Sequence, residues 1–217
     1  YDDVQAAYDA QKHDNLNLIN PLYEAYEVLD KARQERGALD LDLPERQAVI
    51  NEKGEIEAII PRQRLDSHKL IEEFMILANV AAALVLEDKK SPCIYRAHDR
   101  PENSRLDDAR QFLSQMGYSF AKGAVVQPKD INNILDKARG TETSELVSTI
   151  ILRSQSQALY SPDNHGHFGL ALRHYAHFTS PIRRYADLIV HRLLTSSHKL
   201  GKGGFDNADL GLLPEMA

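Results

Sequence analysis

The chain has 217 residues, 42% hydrophobic and 27% charged, a composition typical of a globular protein with one core or two small ones. Its single cysteine, Cys93, cannot form an intrachain disulfide. This excludes a small secreted protein stabilised by disulfides and a cysteine-rich zinc module. The longest stretch without a charge, Phe74 to Leu86, has 13 residues, whereas about 20 are needed to cross a bilayer. We therefore expect no membrane contact, and because no export leader is visible we expect a cytoplasmic protein.

The net charge of −6 would by itself discourage a polyanionic partner, but the charge is unevenly distributed. From Gly169 to Lys202 the chain carries six basic residues and one acid, Asp187, which leaves −11 for the remainder. Four of the nine histidines lie in the same stretch. The sequence thus predicts one local surface that can hold an anion on an otherwise acidic protein.

The first half of the chain contains helical and then strand-like patterns. Apolar residues at helical spacing predict a helical hairpin over Val4 to Arg36, ended by Gly37 in a left-handed cap. Alternating apolar and polar residues over Ala38 to Ile60, with a turn at Lys53-Gly54, predict an antiparallel ribbon. The strongest helix, Asp66 to Asp88, is apolar on nearly every face, which predicts that it is buried.

The second half is predicted to hold a short strand and three helices, over Ser91 to Ala97, Ser104 to Met116, Pro128 to Ala138 and Glu145 to Gln157. His167 to Phe178 then alternates like a strand, Ser180-Pro181 ends it, and Ile182 to Leu194 has helical spacing. No internal repeat interrupts the chain, so residues 1–217 are predicted to form a single unit. The fold class is α+β, mainly helical with antiparallel strands.

The start of the last predicted helix carries the main candidate site. Ser180 suits an N-cap and Pro181 a first helical position, yet two arginines, Arg183 and Arg184, follow in the first turn, where the helix dipole disfavours cations. Free N–H groups, hydroxyls and guanidinium groups at one helix end would make a phosphate-binding cradle. The alternative is that Arg183 pairs with Asp187 one turn later as an ordinary surface ion pair.

A polar stripe in the apolar helix is the second candidate. Glu72 and Asn79 are seven residues apart and so lie on one face, with His68 one turn earlier. A carboxylate in such a helix either pairs with a basic residue of the core or faces a cavity that admits a polar ligand. Glu73, rotated away from Glu72, is predicted to be structural.

A metal site is not favoured by the residues themselves. The histidines lack a His-Glu-x-x-His motif and supporting cysteines, so histidines that face solvent or nucleic acid are the better interpretation. Asp107-Asp108 falls in the opening turn of a predicted helix, where the dipole alone favours acids.

Three stretches of this sequence resemble the RNB exoribonucleases. They are Ser67 to Asn79, His167 to Ala171 and Tyr175 to Tyr185, the last containing Thr179-Ser180-Pro181-Ile182-Arg183-Arg184-Tyr185. The resemblance extends from about Asn20 to Leu194. It implies an α+β catalytic domain that degrades single-stranded RNA from the 3′ end, hydrolytically and with magnesium, to nucleoside 5′-monophosphates; no DNA partner is expected.

The resemblance also implies roles at matched positions. Arg183 corresponds to the catalytic arginine that engages the scissile phosphate and stabilises developing charge. The resemblance assigns RNA contacts to six further residues: Glu72, which would contact the 3′-terminal nucleotide, together with Tyr175, His177, Thr179, Ser180 and Arg184.

Three departures from the family pattern qualify this expectation. The aspartate cluster that binds the metal in the family lies upstream of everything in this sequence, and the flanking oligonucleotide-binding domains are missing too. We therefore expect the C-terminal part of an RNB nuclease domain that is inactive alone, its magnesium ligands lying outside this chain. Leu41 stands where relatives tend to place a base-stacking aromatic. The alternative is a non-catalytic module that grips single-stranded RNA without cutting it.

Overall fold

A computed structural model describes residues 1–41, 43, 46–61, 64–119 and 125–205, and the helices and strands lie within these residues. The α-helices are α1 (Asp2–Ala10), α2 (Leu16–Arg36), α3 (Asp66–Asp88), α4 (Asn103–Gln115), α5 (Pro128–Ala138), α6 (Ser144–Ser154) and α7 (Tyr185–Ser197). The strands are β1 (Arg46–Ile50), β2 (Ile56–Pro61), β3 (Tyr95–Ala97) and β4 (Leu159–Ser161). They form two separate antiparallel pairs, β1–β2 and β3–β4. The fold is α+β, as predicted.

Helix α3 is the central element of the packing. Its C-terminal half packs with β3 and α7 around buried side chains that include Leu86, Ile94 and Ile189. Its N-terminal part packs against α1 and α2, where Leu70 meets Tyr23. Helices α4, α5 and α6 share a separate cluster of buried residues. None of the described helices is long and apolar enough to cross a bilayer.

Several predicted elements are confirmed. Helices α1 and α2 form the predicted hairpin, and Gly37 adopts the left-handed cap with φ 75°. The bounds of α3 and α5 coincide with those predicted, and α5 begins with Pro128 at its first turn, where a missing N–H costs nothing. The ribbon exists over β1 and β2, joined by a turn at Gly54, whose φ is 80°.

Two predictions about the first half are wrong in part. Residues 38–41 form no strand, because Leu39 is buried and its N–H donates 2.7 Å to the carbonyl oxygen of Gly169, while the Asp40 N–H bonds Asn132. Residues 42 and 44–45 lie outside the described residues. Helix α3 is not buried all round either. Ile71, Leu77, Leu84 and Val85 are exposed, because α1, α2 and α7 cover only part of its surface.

The region after α6 differs most from the prediction. Helix α6 ends at Ser154, and the chain then forms β4, which pairs with β3 and was not predicted. Residues 167–178 form no strand but a short 3-10 turn and single bridges, because the His167 N–H bonds Leu172 across a turn in which Ala171 has φ 51°. Helix α7 begins at Tyr185 rather than at Ile182, whose side chain is 97% exposed.

Candidate nucleic-acid interface

A cavity of about 300 Å³ lies between α3 and the segment that leads into α7. Its walls include three of the residues to which the resemblance assigns roles, Glu72, Tyr175 and Arg184, together with His68 and Asn79. Residues far apart in sequence thus meet at one place. His177, Thr179, Ser180 and Arg183 are not part of its wall, although Thr179 and Ser180 share the hydrogen-bond network beside it.

Asn79 fixes the backbone beside this cavity, at Phe178 and Thr179. It is buried in α3, its Nδ2 donates 3.1 Å to the Tyr175 hydroxyl, and its Oδ1 accepts from the backbone N–H groups of Phe178 (2.9 Å) and Thr179 (3.3 Å). A buried amide that satisfies irregular backbone N–H groups holds that backbone in one position. The sequence placed Asn79 on a polar stripe, but its partners lie about a hundred residues away and left no local signal.

Asp187 fixes the next residue of the same backbone, Ser180. Its side chain is fully buried, and its Oδ1 accepts 2.7 Å from the Ser180 N–H and 2.8 Å from Arg184 Nη2. The predicted alternative pairing of Arg183 with Asp187 is therefore wrong, because Arg184 takes this carboxylate. Ser180 is not the N-cap of α7, since residues 181–183 form a turn closed onto the Ser180 carbonyl and the helix begins three residues later than predicted.

The two arginines consequently have different environments. Arg184, the N-cap residue of α7, is half-buried and tied to Asp187. Arg183 is exposed, and its side chain makes no hydrogen bond or ion pair with any part of the chain that the structure describes. The helix end that the sequence predicted as a phosphate cradle is thus not formed by residues 180–184. These residues form a turn, anchored by two buried polar side chains, that presents one unpaired guanidinium.

Three buried polar atoms at this turn lack a hydrogen-bond partner among the described residues: Thr179 Oγ1, Arg184 Nε and Asp187 Oδ2. Buried polar atoms in folded proteins are paired in the great majority of cases. Thr179, Arg184 and Asp187 therefore leave hydrogen-bonding capacity unused inside the protein beside the turn.

The adjacent acids of α3 have distinct environments. Glu73 is buried and pairs with Arg33 (2.8 Å) and Arg36 (3.6 Å), which confirms its predicted structural role. Glu72 pairs with Arg64, and the two side chains are 43% and 53% exposed. Both alternatives proposed for Glu72 thus hold in part. It makes an ion pair, though a solvated one rather than one in the core, and it also faces the cavity.

Histidines near the segment are held neutral. Burial and the nearby Arg184 cation lower the pKa of His177 to about 4, and its Nδ1 lies 2.8 Å from the Tyr160 hydroxyl. Burial, with His98 as the next cause, lowers the pKa of His167 to about 3. Burial raises the pKa of the Tyr175 phenol. These rings therefore act near neutral pH as uncharged hydrogen-bonding groups.

One aromatic contact at the cavity was not predicted. The ring of Tyr1 stacks on His68 with 4.3 Å between ring centroids, and both residues line the cavity. His68 is itself fixed, because its Nδ1 accepts from the Leu65 N–H at the start of α3. An aromatic pair at a pocket wall offers a flat face of the kind on which bases stack.

The described residues contain no group of three or more histidine, cysteine, aspartate or glutamate side chains placed to hold a metal ion. By themselves, these residues therefore do not form a carboxylate cluster that fits a magnesium ion.

The sequence profile of the RNB domain family matches residues 1–199, and the chain belongs to this family. Among curated proteins it is similar to ribonuclease R of Vibrio parahaemolyticus, with 46% identity over 176 residues, which is 81% of this chain and 21% of that protein. The chain thus spans about a fifth of the length of this relative.

Solved structures give the same assignment. Ribonuclease R of Mycoplasma genitalium, in its apo form, matches with a TM-score of 0.87 and 27% identity over 99% of this chain and 34% of that one. Further structures of that protein are complexes with ribose-methylated single-stranded RNA and with double-stranded RNA. Yeast Ssd1, a pseudonuclease, matches 98% of this chain and 27% of its own at a TM-score of 0.67 and 18% identity, which shows the shared fold alone.

Proposed function

We propose that this chain is part of a cytoplasmic, magnesium-dependent exoribonuclease that hydrolyses single-stranded RNA processively from the 3′ end to nucleoside 5′-monophosphates. Membership of the RNB family and 46% identity to a ribonuclease R support the exoribonuclease assignment. The complex of the Mycoplasma relative with single-stranded RNA supports the proposed partner.

The observation that carries the proposal is the environment of Arg183. Its guanidinium is exposed and unpaired among the described residues, on a turn that Asn79 and Asp187 hold from inside the protein. Because the turn is held in place while the guanidinium has no partner of its own among the described residues, Arg183 is free to pair with the charge that develops on a scissile phosphate. Arg183 is therefore the proposed catalytic residue.

The remaining site residues are proposed to bind the RNA. Arg184 supplies a guanidinium at the end of the turn, and Thr179 and Ser180 supply hydroxyl groups before it. Glu72 and the edge of Tyr175 line the cavity, which is proposed to take the 3′-terminal nucleotide. His177 is the weakest member of the set, because it lies outside that wall and bonds Tyr160.

Magnesium is proposed to be held by ligands outside the described residues. When bound it would activate water and neutralise charge on the scissile phosphate. The chain by itself is then expected to bind RNA without shortening it.

The test compares the product of the complete gene with its Arg183→Ala variant, using a 3′-labelled single-stranded oligonucleotide in magnesium. We expect the wild type to release nucleoside 5′-monophosphates and the variant to lose about 100-fold to 1,000-fold in kcat, the effect typical of removing a preorganised oxyanion-stabilising group. Lys31→Ala, a change of an equally exposed cation on α2, is the matched control and should leave kcat unchanged.

The alternative, a non-catalytic RNA-binding module, gives a different result. The complete protein would then bind the oligonucleotide but release no mononucleotide, and an upstream sequence without clustered aspartates would agree with it. Either finding would overturn the proposed activity while leaving RNA binding intact.

A further inference from the structure

Helices α4 and α6 form the walls of a groove of about 510 Å³. The two helices run in opposite directions, because Arg105 near the start of α4 donates 3.2 Å to the carbonyl oxygen of Gln155, the C-cap residue of α6. Both helices bury another face with α5 in one core cluster, and no described residue of α5 lines the groove. Two antiparallel helices with a groove between them form the kind of surface on which a third helix packs in helical bundles.

One end of this groove is apolar. Phe112 near the end of α4 and Leu146 near the start of α6 line it and are 58% and 53% exposed. Met116 and Ile150 lie in the same wall and are half-buried. Each of the two helices thus contributes a pair of apolar side chains spaced by four residues, which places both members of a pair on one face. A concave apolar surface of this kind is what amphipathic helices bind.

The other end of the groove is cationic. Because the helices are antiparallel, Arg105 near the start of α4 and Arg153 near the end of α6 lie at the same end. Arg153 is exposed and makes no hydrogen bond or ion pair within the described part of the chain. Arg105 has a solvated contact of 3.8 Å with Glu102 besides its bond to α6. Asp108 is the acid of the wall, so two cations against one acid leave a local excess of positive charge.

The length and charge of the groove define what fits it. Helix α6 has 11 residues, which is about 16 Å or three turns at 1.5 Å per residue. A helix of that length could lie along the groove in two directions. The direction that brings its C-terminal end to Arg105 and Arg153 is favoured, because cations stabilise the negative end of the helix dipole and pair with acidic side chains in the last turn.

We propose that the groove between α4 and α6 binds an amphipathic helix of a partner protein, with apolar side chains against Phe112 and Leu146 and an acidic last turn at Arg105 and Arg153. A second copy of this chain fits less well. A two-fold axis would bring the arginine end of one groove against either the apolar end or the arginine end of the other, and neither supplies a counter-charge.

This inference goes beyond the proposed function and does not depend on it. The groove has no described wall residue in common with the cavity between α3 and the segment that leads into α7. A helix in the groove therefore leaves that cavity free.

The test uses the product of the complete gene and a fluorescently labelled peptide of about 12 residues, long enough for three turns. Its leucines are spaced by three and four residues, and two glutamates lie in its last turn. A second peptide of the same composition carries the glutamates in its first turn. The groove variant is Phe112→Ser with Leu146→Ser. The matched control is Leu18→Ser with Val28→Ser, which removes two comparably exposed apolar side chains from α2. Fluorescence anisotropy gives the affinities, and circular dichroism checks that each variant retains its helices.

The wild type should bind the first peptide, and the groove variant should bind it at least about tenfold more weakly, because a few apolar anchors carry most of the binding energy of an interface. The control variant should bind it as the wild type does. The peptide with glutamates in its first turn should bind the wild type about two- to fivefold more weakly. Arg153→Gln should remove most of that difference, and because Arg153 has no partner within the described chain, this substitution breaks none of its contacts.

Several results would overturn the proposal. If the complete protein binds neither peptide, or if the groove and control variants lose affinity equally, the groove is not a helix-binding site. Displacement of the peptide by a single-stranded RNA would assign the groove to nucleic acid. A dimer in sedimentation that the groove variant converts to a monomer would assign it to a second copy. Failure of the proposed function looks different, because a protein without nuclease activity would still bind the peptide through this groove.

Discussion

The segment 175–187, which leads into α7, and the β1–β2 ribbon are stabilised in opposite ways: the first by buried polar side chains, the second by backbone pairing. The segment is irregular, yet buried Asn79 and Asp187 accept hydrogen bonds from its backbone at the consecutive residues 178–180. The ribbon is a paired antiparallel ladder with one register shift between Val49 and Ile50, yet every residue of β2 is exposed, and Ile56 and Ile59 are each 66% exposed. Backbone pairing alone gives a two-stranded ribbon little stability, whereas buried polar anchors fix a loop without any ladder.

Removal of Asp187, which holds the segment 175–187 in place, should have the largest effect on stability. Asp187→Ala takes away a fully buried carboxylate and leaves the Ser180 N–H and Arg184 without their partner. Breaking a buried pair in this way costs about 3 to 5 kcal/mol, measured as a fall in the free energy of urea unfolding. The control is Asp163→Ala, which removes an exposed aspartate. If both variants lose equally little free energy of unfolding, Asp187 does not hold the segment.

The same substitution, isoleucine to alanine, should have very different effects on stability in α7 and in the ribbon. Ile189→Ala on α7 deletes a side chain that is 1% exposed and should cost about 3 kcal/mol, because it leaves a cavity in the core. The same change at Ile59 in the ribbon should stay within about 0.5 kcal/mol. A large loss at Ile59, by thermal or urea unfolding, would mean that the ribbon packs in solution on something that the described residues do not supply.

The smallest effect is a pH dependence that arises from the segment and not from the ribbon, which contains no histidine. Burial lowers the pKa of His177 from 6.5 to about 4 in the folded chain. The unfolded chain therefore binds more protons in this window, and stability is complete above pH 6.5 and falls as the pH drops towards 4. The loss should be about 2 kcal/mol, which is less than the full linkage value because His177 is only partly buried and solvent screens the nearby charges.

The measurement is urea unfolding between pH 4 and pH 7 for the wild type and His177→Gln. The glutamine variant keeps a polar side chain but cannot titrate, so its stability should depend less on pH. Identical pH profiles would contradict a buried, neutral His177.

Local sequence determined the elements whose signals are local. Helices α3 and α5 follow from apolar spacing and from Pro128 at a first turn, and the ribbon follows from alternation around Gly54. The separate roles of Glu72 and Glu73 were also accessible, because adjacent residues on a helix point in directions about 100° apart. The three matching stretches were sufficient to place the chain in its family.

Tertiary structure alone decided the shape of the candidate site. Apolar spacing extended α7 back to Ile182, but the carboxylate of Asp187 binds the Ser180 N–H and Arg184, and so delays the helix to Tyr185. These contacts span only three and seven residues of the chain, but they depend on the tertiary packing that buries Asp187, and they leave Arg183 exposed. The periodicity of apolar residues predicts which face of a helix or strand is buried. It does not predict which buried polar side chain will form hydrogen bonds with a backbone elsewhere in the fold, and such hydrogen bonds position this site.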